Sequence, residues 1–578
     1  MTPARGARAI DEALSRWVLA RTGSALLARA ALEASAAEGQ GHACARLDQP
    51  PLGAAFTDEE YAALRAADWV GDGSGAPTPF VLDRQARFYL WRCWRHEAAL
   101  ADAIALRCAG AAEPAPVAET LALEADVLFA AADRAAVARQ REAVLRAVDG
   151  RLLVLTGGPG TGKTATVVRL LAMLLRVAAA AGRPAPSIAL AAPTGKAARR
   201  LAQSIAAGRQ ALAQTLPEGS AFAAPLEAIG RVPARTVHRL LGYRPDLNGY
   251  ARGAADPLLA DIVVVDEASM IDLALMRQLF EALRPDARLI LLGDPDQLAS
   301  VDAGSVLADI VASAAALGGR VVRLDHVWRA GVPLQRDLRA LREADTDRIE
   351  AILAGGGDGI DLRPCADAAG LDAALARWLD RHRDAFDRLF AADAEPADAL
   401  AALRAAQVLT ALREGPFGAA GLNARIARRL GARYGVDPQQ AWHRGRALIV
   451  TRNDDASGLY NGDVGVVLDG ADGPRVWFEA GDGDGAPALR SYAPAALPAH
   501  ESAWAITIHR SQGSEYGEVA VVLPPDPAHP VLSRELVYTA VSRARAAAEL
   551  WAVPEAVRAA LARPIVRHGG LRDRLGAP

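Results

Sequence analysis

The stretch Leu152–Leu171, LLVLTGGPGTGKTATVVRLL, constrains this chain more than any other. An apolar run enters a glycine-rich turn, and a helical pattern opens at Lys163 and Thr164. Gly157, Gly158, Pro159, Gly160, Thr161, Gly162, Lys163 and Thr164 fit G-x-x-x-x-G-K-[ST]. Glycines let backbone N–H groups close around a phosphate, and the helix N-terminus adds the positive end of its dipole. Lys163 is placed to reach the β- and γ-phosphates, and the Thr164 hydroxyl to bind Mg²⁺. Such a loop needs a buried strand before it and a helix after it, so the sequence predicts an α/β unit around a nucleoside triphosphate.

Further apolar runs follow at intervals: SIALAAP (187–193), DIVVVDEAS (261–269) and RLILLGDPDQ (288–297). Continuous β-branched and leucine runs alternating with helical pattern predict a parallel sheet buried on both faces. A second cycle runs through QVLTALR (407–413), RALIVTRND (446–454), SAWAITIH (502–509), EVAVVLP (518–524) and ELWAVP (549–554). Between them, Tyr460–Pro494 carries NG and DG pairs beside short alternating runs, the chemistry of hairpins in a small β-barrel or meander. The first 130 or so residues read as helical and alanine-rich, with an apolar–aromatic block at Arg87–Leu100. A block of that kind is normally core.

Sixty-five basic against 68 acidic residues give a formal charge of −3. That balance gives no support to a basic coat and leaves room for a narrow basic groove. Four cysteines with no CxxC spacing read as reduced thiols of a cytoplasmic protein. The most apolar helix, LLAMLLRVAAAAG, is too short to cross a bilayer and contains Arg176, so no membrane partner is expected.

Two more strand ends carry chemistry. IVVVDEAS delivers Asp266 to a sheet edge, where a carboxylate can hold Mg²⁺ through water. The adjacent Glu267 can orient or deprotonate the attacking water, which argues for hydrolysis. GDPDQLASV places Gln297 where a neutral amide can sense the γ-phosphate; a plain polar turn is the other reading.

Taken together these blocks resemble superfamily 1 helicases, with the spacing of the branch that moves 5′ to 3′ on single-stranded DNA. Within it they are most similar to the RecD family, the alpha chains of exodeoxyribonuclease V. GGPGTGKT, APTGKAARRL (192–201), TVHRLLG (236–242), VVVDEASMIDL (263–273) and GDPDQLASVDAGSVLADI (293–310) carry the likeness. So do ALREGPFGAAGLN (411–423), AITIHRSQGSEY (505–516) and VYTAVSRAR (537–545). The likeness spans about residues 80 to 555. Arg510 stands where the family usually has lysine, which keeps the cation.

The resemblance implies two RecA-like parallel-sheet domains, with a helical N-terminal domain and a small SH3-like β insert. Its expected bounds are 1–130 for a partner-docking domain, 131–345 for the first motor domain and 346–578 for the second. Residues 203–233 would house a strand-separating pin, and about 455–500 the insert. Gln140 would read adenine, Glu515 would touch the ribose, and Arg329 and Arg543 would reach the γ-phosphate from the second unit. Arginine suits that role because its planar fork spreads over phosphate oxygens. DNA contact would fall to Pro193, Thr194, Gly195 and Lys196; to Thr236 and His238; and to Thr507, His509, Ser511 and Gln512. Hydroxyls, amides and a cation grip phosphates without reading bases. His238 and His509 read equally well as structural histidines.

The expected activity is ATP- and Mg²⁺-dependent movement on the 5′-ended single strand from duplex DNA ends. The chain would be one subunit of a RecBCD-type heterotrimer beside two others; a free-standing 5′-to-3′ helicase is the alternative. A nuclease of its own would need converging carboxylates tied to strand ends. Outside the Asp266–Glu267 pair the sequence offers none, so cutting is expected on another subunit.

Overall fold

A computed structural model describes residues 6–109, 118–130, 132–230, 232–247, 249–328, 332–454, 456–480 and 488–576. The first predicted parallel sheet is built from β1 (Leu152–Gly157), β2 (Ile188–Ala192), β3 (Ala234–Thr236), β4 (Ile262–Val265), β5 (Arg288–Gly293) and β6 (Val321–Leu324). Their order is β6-β1-β5-β4-β2-β3, every neighbouring pair parallel. Alternation explains why the runs are continuously apolar. Leu153, Leu155, Val264, Ile290 and Leu292 pack on one face with Val167 and Leu171 of helix α1 (Lys163–Ala180). Leu152, Val154, Val263, Val265, Leu289 and Leu291 pack on the other with Met276 and Leu279.

The second sheet comprises β7 (Ile360–Pro364), β8 (Ala406–Thr410), β9 (Ala505–Thr507), β10 (Tyr516–Val522) and β11 (Ala544–Ala552). It too is parallel, in the order β7-β11-β10-β8-β9. Between β8 and β9 lies a five-stranded antiparallel sheet spanning Ala447–Ser502, with its own small core of Leu448, Val450, Leu459, Val467, Val476 and Phe478. We refer to the two parallel-sheet units as the first and second lobes.

The helical N-terminal region also contains a four-stranded sheet, of strands Ala45–Arg46, Val70–Gly71, Phe80–Leu82 and Arg87–Leu90. The aromatic block forms its last strand, where Phe88 and Tyr89 are fully buried. The next helix, Trp91–Ala109, belongs energetically to the first lobe. Leu100 and Ile104 join the core beneath β1 and β4, and the Arg107 guanidinium donates to the carbonyls of Ala287, Leu283 and Arg284.

Residues 203–230 do not form a projecting pin. They complete helix α2 (Gly195–Thr215) and form α3 (Ala223–Ile229), with Leu212, Phe222, Leu226 and Ile229 buried against α1. The 4-3 spacing of Phe222, Leu226 and Ile229 is helical, and it outweighs the segment's polar composition. The chain's short two-stranded hairpin instead pairs Tyr243–Arg244 with Gly249–Tyr250, directly after helix α4 (Val237–Leu240).

Candidate nucleotide site and strand-binding face

Ligands of parallel α/β sheets sit beyond the carboxyl ends of the strands, and the carboxyl ends of β1, β4 and β5 converge here. The loop after β1 is tightly packed. A Cβ on Gly157 would lie 2.7 Å from both the Leu324 carbonyl and Thr161 Oγ1. Gly162, at φ 84°, opens α1, and a Cβ there would lie 2.5 Å from Gln140 Nε2. Only glycine satisfies both the space and the left-handed backbone. Lys163 Nζ donates to the carbonyls of Gly157 at 2.6 Å and Gly158 at 3.1 Å, and Thr161 Oγ1 donates to Gly158 at 2.9 Å. Gln140 is buried and its amide donates to the Thr161 carbonyl at 3.3 Å, which ties it to the loop.

The loop opens into a cavity of about 340 Å³ whose walls come from both lobes. Pro159, Gly160, Thr164, Asp266, Glu267 and Gln297 line it from the first, and Glu515 and Arg543 from the second. Burial, and then the charge of Glu267, push the Asp266 carboxyl up to about 6, against the opposing pull of Lys163. Glu267 adopts φ 52°, a left-handed conformation rare outside glycine, with its N–H donating to Asp266 Oδ1 at 2.9 Å. Holding it there costs about 1–3 kcal/mol, and such strain gathers at working sites.

Arg543 is 3% exposed, and it crosses the cleft. Its Nη2 donates to Gln297 Oε1 at 2.6 Å, and its Nε to the Thr539 carbonyl at 3.1 Å. Gln297 Nε2 in turn donates to Asp294 Oδ2 at 3.1 Å, which also accepts from Tyr538 OH at 3.0 Å. Thr539 Oγ1 accepts the Leu298 N–H at 2.8 Å. Helix α5 (Arg534–Val541) and the turn after it are thereby locked onto the end of β5. A buried guanidinium held by an amide and carbonyls is a ready receptor for an anion.

Arg329 lies outside the described residues. Its neighbour Trp328 does not: its N–H donates to the Gly160 carbonyl at 2.9 Å, and its indole lines the cavity. Trp328 is not among the sequence-predicted site residues; its place directly before Arg329 is the only signal for it. Arg200, also missed, extends from α2 to pair with Glu515 inside the same cavity.

The residues expected on DNA divide into two groups. Thr194 and Thr236 cap α2 and α4, accepting the N–H of Ala197 and of Arg239, each at 3.2 Å. Pro193, Gly195 and Lys196 lie in the same turn as Thr194, and Lys196 is held down to about 8 by burial and by Arg199 and Arg200. The His238 ring stands edge-on to Tyr243 of the hairpin at 5.7 Å. Thr507 ends β9, and burial lowers the pKa of His509 just beyond it. Ser511 and Gln512 depart from expectation. Ser511 is fully buried, its hydroxyl donating to the Ile508 carbonyl at 2.7 Å, and Gln512 donates to Leu298 across the seam at 3.3 Å. Gln512 thus ties the second lobe to the first, while the Ser511 hydroxyl stays within its own lobe, turned inward.

A family model described as an AAA domain matches residues 140–303, and one for the UvrD-like helicase C-terminal domain matches 502–551. The RecBCD enzyme subunit RecD of Mycolicibacterium smegmatis is 41% identical over 438 residues, which cover 75% of this chain and 74% of that protein. The chain belongs to the RecD family. The RecBCD enzyme subunit RecD of Haemophilus influenzae is 33% identical over 75% of the chain and 71% of its own length. The ATP-dependent RecD2 DNA helicase of Deinococcus radiodurans is 34% identical over 71% of the chain, but that match spans only 48% of the longer protein.

Proposed function

We propose that the chain is an ATP-driven DNA helicase moving 5′ to 3′, one subunit of a RecBCD-type helicase–nuclease that works from duplex ends in the cytoplasm. The observation that carries this reading is the 2.6 Å contact of Arg543 with Gln297. It brings a buried second-lobe cation onto a first-lobe amide inside the cavity of the phosphate loop. ATP hydrolysis can then open and close a cleft between two lobes, as a motor requires.

In this reading Lys163 compensates the β- and γ-phosphates, Glu267 takes the proton of the attacking water, and Gln297 and Arg543 meet the developing charge. Arg329 is assigned the second arginine role, Gln140 the adenine edge, and Glu515 the ribose. Thr164 and Asp266 fit Mg²⁺: both are hard oxygen donors, and the crowded negative charge of Asp266 and Glu267 favours a divalent partner. When bound, the ion supplies further neutralisation of the phosphate oxygens. The DNA strand is assigned to Pro193–Lys196, Thr236, His238, Thr507 and His509, and strand separation to the Tyr243–Tyr250 hairpin. Docking onto the two partner subunits, one of them carrying the nuclease, falls to the N-terminal region. The direct test is Arg543→Ala: ATP turnover should fall about 10³-fold or more while nucleotide binding persists, and turnover near wild type would overturn the motor assignment.

A free-standing helicase is the second reading, supported by the 34% identity to RecD2. Co-purification of the native chain decides between them, since a free-standing helicase emerges alone.

A further inference from the structure

On helix α2, Lys196, Arg199 and Arg200 stand three and four residues apart, so they share one face. All three reach the second lobe. Lys196 Nζ donates to the Gly462 carbonyl at 3.3 Å, Arg199 pairs with Asp463, and Arg200 pairs with Glu515 in the nucleotide cavity. Gly462 and Asp463 belong to one turn of the antiparallel insert. Asp463 is buried, and its second oxygen accepts the Tyr460 N–H at 2.8 Å, so the turn itself fixes the carboxylate.

Tyr460 completes the contact. Its hydroxyl accepts from Arg239 at 2.9 Å, and its ring lies 4.8 Å from the Arg239 guanidinium and 5.6 Å from that of Arg199. It also covers Gly195 so closely that a Cβ there would lie 2.8 Å from the ring. A carboxylate, a carbonyl and a hydroxyl thus sit on three cations, Arg199 and Lys196 at the start of α2 and Arg239 on α4. A phosphodiester offers the same chemistry: anionic oxygens that accept from lysine and arginine.

We propose that the Tyr460–Asp463 turn is a built-in stand-in for nucleic-acid phosphate, competing with single-stranded DNA for Lys196, Arg199 and Arg239, and that α2 transmits the exchange to Arg200 and Glu515 in the nucleotide cavity. The inference rests on the strand-gripping role assigned to Pro193–Lys196 above. Arg200 follows Arg199 directly on a 21-residue helix, so a phosphate that displaces the turn shifts a cavity residue without passing through the seam around Arg543. Strand binding and ATP turnover are then linked by a competition the protein carries within itself.

The test is Asp463→Asn in the full chain, which removes the charge facing Arg199 and keeps an oxygen for the Tyr460 N–H. Oligo(dT) binding and ATP turnover with and without oligo(dT) are measured for wild type and variant. Binding should tighten about fivefold, the size of one partly exposed ion pair. DNA-free turnover should rise and stimulation by oligo(dT) shrink. Tyr460→Phe, which loses only the hydroxyl contact with Arg239, should shift all three in the same direction by less, and it covers the case in which Asp463→Asn fails to fold. Unchanged values in the folded variants would overturn the proposal. So would weaker binding, which would make the turn part of the grip. A wild type that oligo(dT) neither binds nor stimulates would instead overturn the proposed function.

Discussion

Lys163 and Glu267 line the same cavity, and their roles separate experimentally. Lys163→Gln removes the cation that opposes the β- and γ-phosphate charge, so steady-state ATPase activity should vanish; near-normal turnover at saturating ATP would refute the phosphate assignment. Glu267→Gln should keep ATP and DNA affinity while slowing hydrolysis about 10²-fold or more, the scale of general-base removal. Single-turnover hydrolysis alongside nucleotide binding measures both. Lys196 adds a pH dependence. Its amine, held down to about 8, faces Arg199, Arg200, Arg404 and Glu479. Because the folded-state value is lowered, the charge is present below that pH and is lost as pH rises through it. Oligo(dT) affinity should therefore fall between about pH 7 and pH 9, with the slope of log affinity against log salt shrinking by about one phosphate contact. A flat profile would exclude Lys196 from the strand.

The phosphate loop was legible because its chemistry is local: glycines, lysine and threonine must be contiguous to wrap one phosphate. Trp328, Arg200 and Tyr460 were not, because their importance arises from what the other lobe brings to them. Ser511 and Gln512 fall on the DNA side only through resemblance to the family's motif beside Thr507 and His509, whereas the Ser511 hydroxyl turns onto the Ile508 carbonyl and the Gln512 amide onto Leu298 in the seam.

Among elements, the long buried strands were readable from their uninterrupted apolar runs. The strands of the N-terminal sheet run only two to four residues, too short for a period of two to register. The resemblance places a pin in 203–233, between the APTGKA and TVHRLLG blocks, yet a sparse helical stripe is enough to bury that segment. The turn signal lies instead in the Pro, Asp, Asn and Gly of 245–249, directly after the Tyr243–Arg244 strand of the hairpin. Tyr243 and Leu247 of this hairpin region are exposed, 39% and 66%. Replacing residues 244–249 with a short glycine linker should impair duplex unwinding while sparing ATPase stimulation by single strands. A loss of both would give the hairpin a structural role only.

At the scale of the molecule, the N-terminal region cannot be cut where composition alone would place the boundary. Removing residues 1–130 strips Leu100 and Ile104 from the first lobe's core and bares one face of its sheet. A cut before Trp91 keeps Leu100, Ala101 and Ile104 and takes only Ala43 from that core. It does free the C-terminal segment, where Asp573 pairs with Arg87 and the His568 carbonyl accepts the Ala43 N–H at 2.7 Å. The shorter truncation should lose assembly with partner subunits and keep DNA-stimulated ATPase activity. Full-affinity assembly in a pull-down with monodisperse protein would end the docking role.

The central claim is that two lobes closing on ATP drive this chain along one strand in one direction. Strand-resolved unwinding measures it most directly: duplexes with a 5′ or a 3′ single-stranded tail, offered to the chain alone or with partners whose own motor is inactivated, beside Lys163→Gln as the ATP control. Opening of the 5′-tailed duplex alone, lost in the Lys163→Gln protein, is the expected result. A preference for the 3′ tail, or opening that survives loss of Lys163, would contradict it.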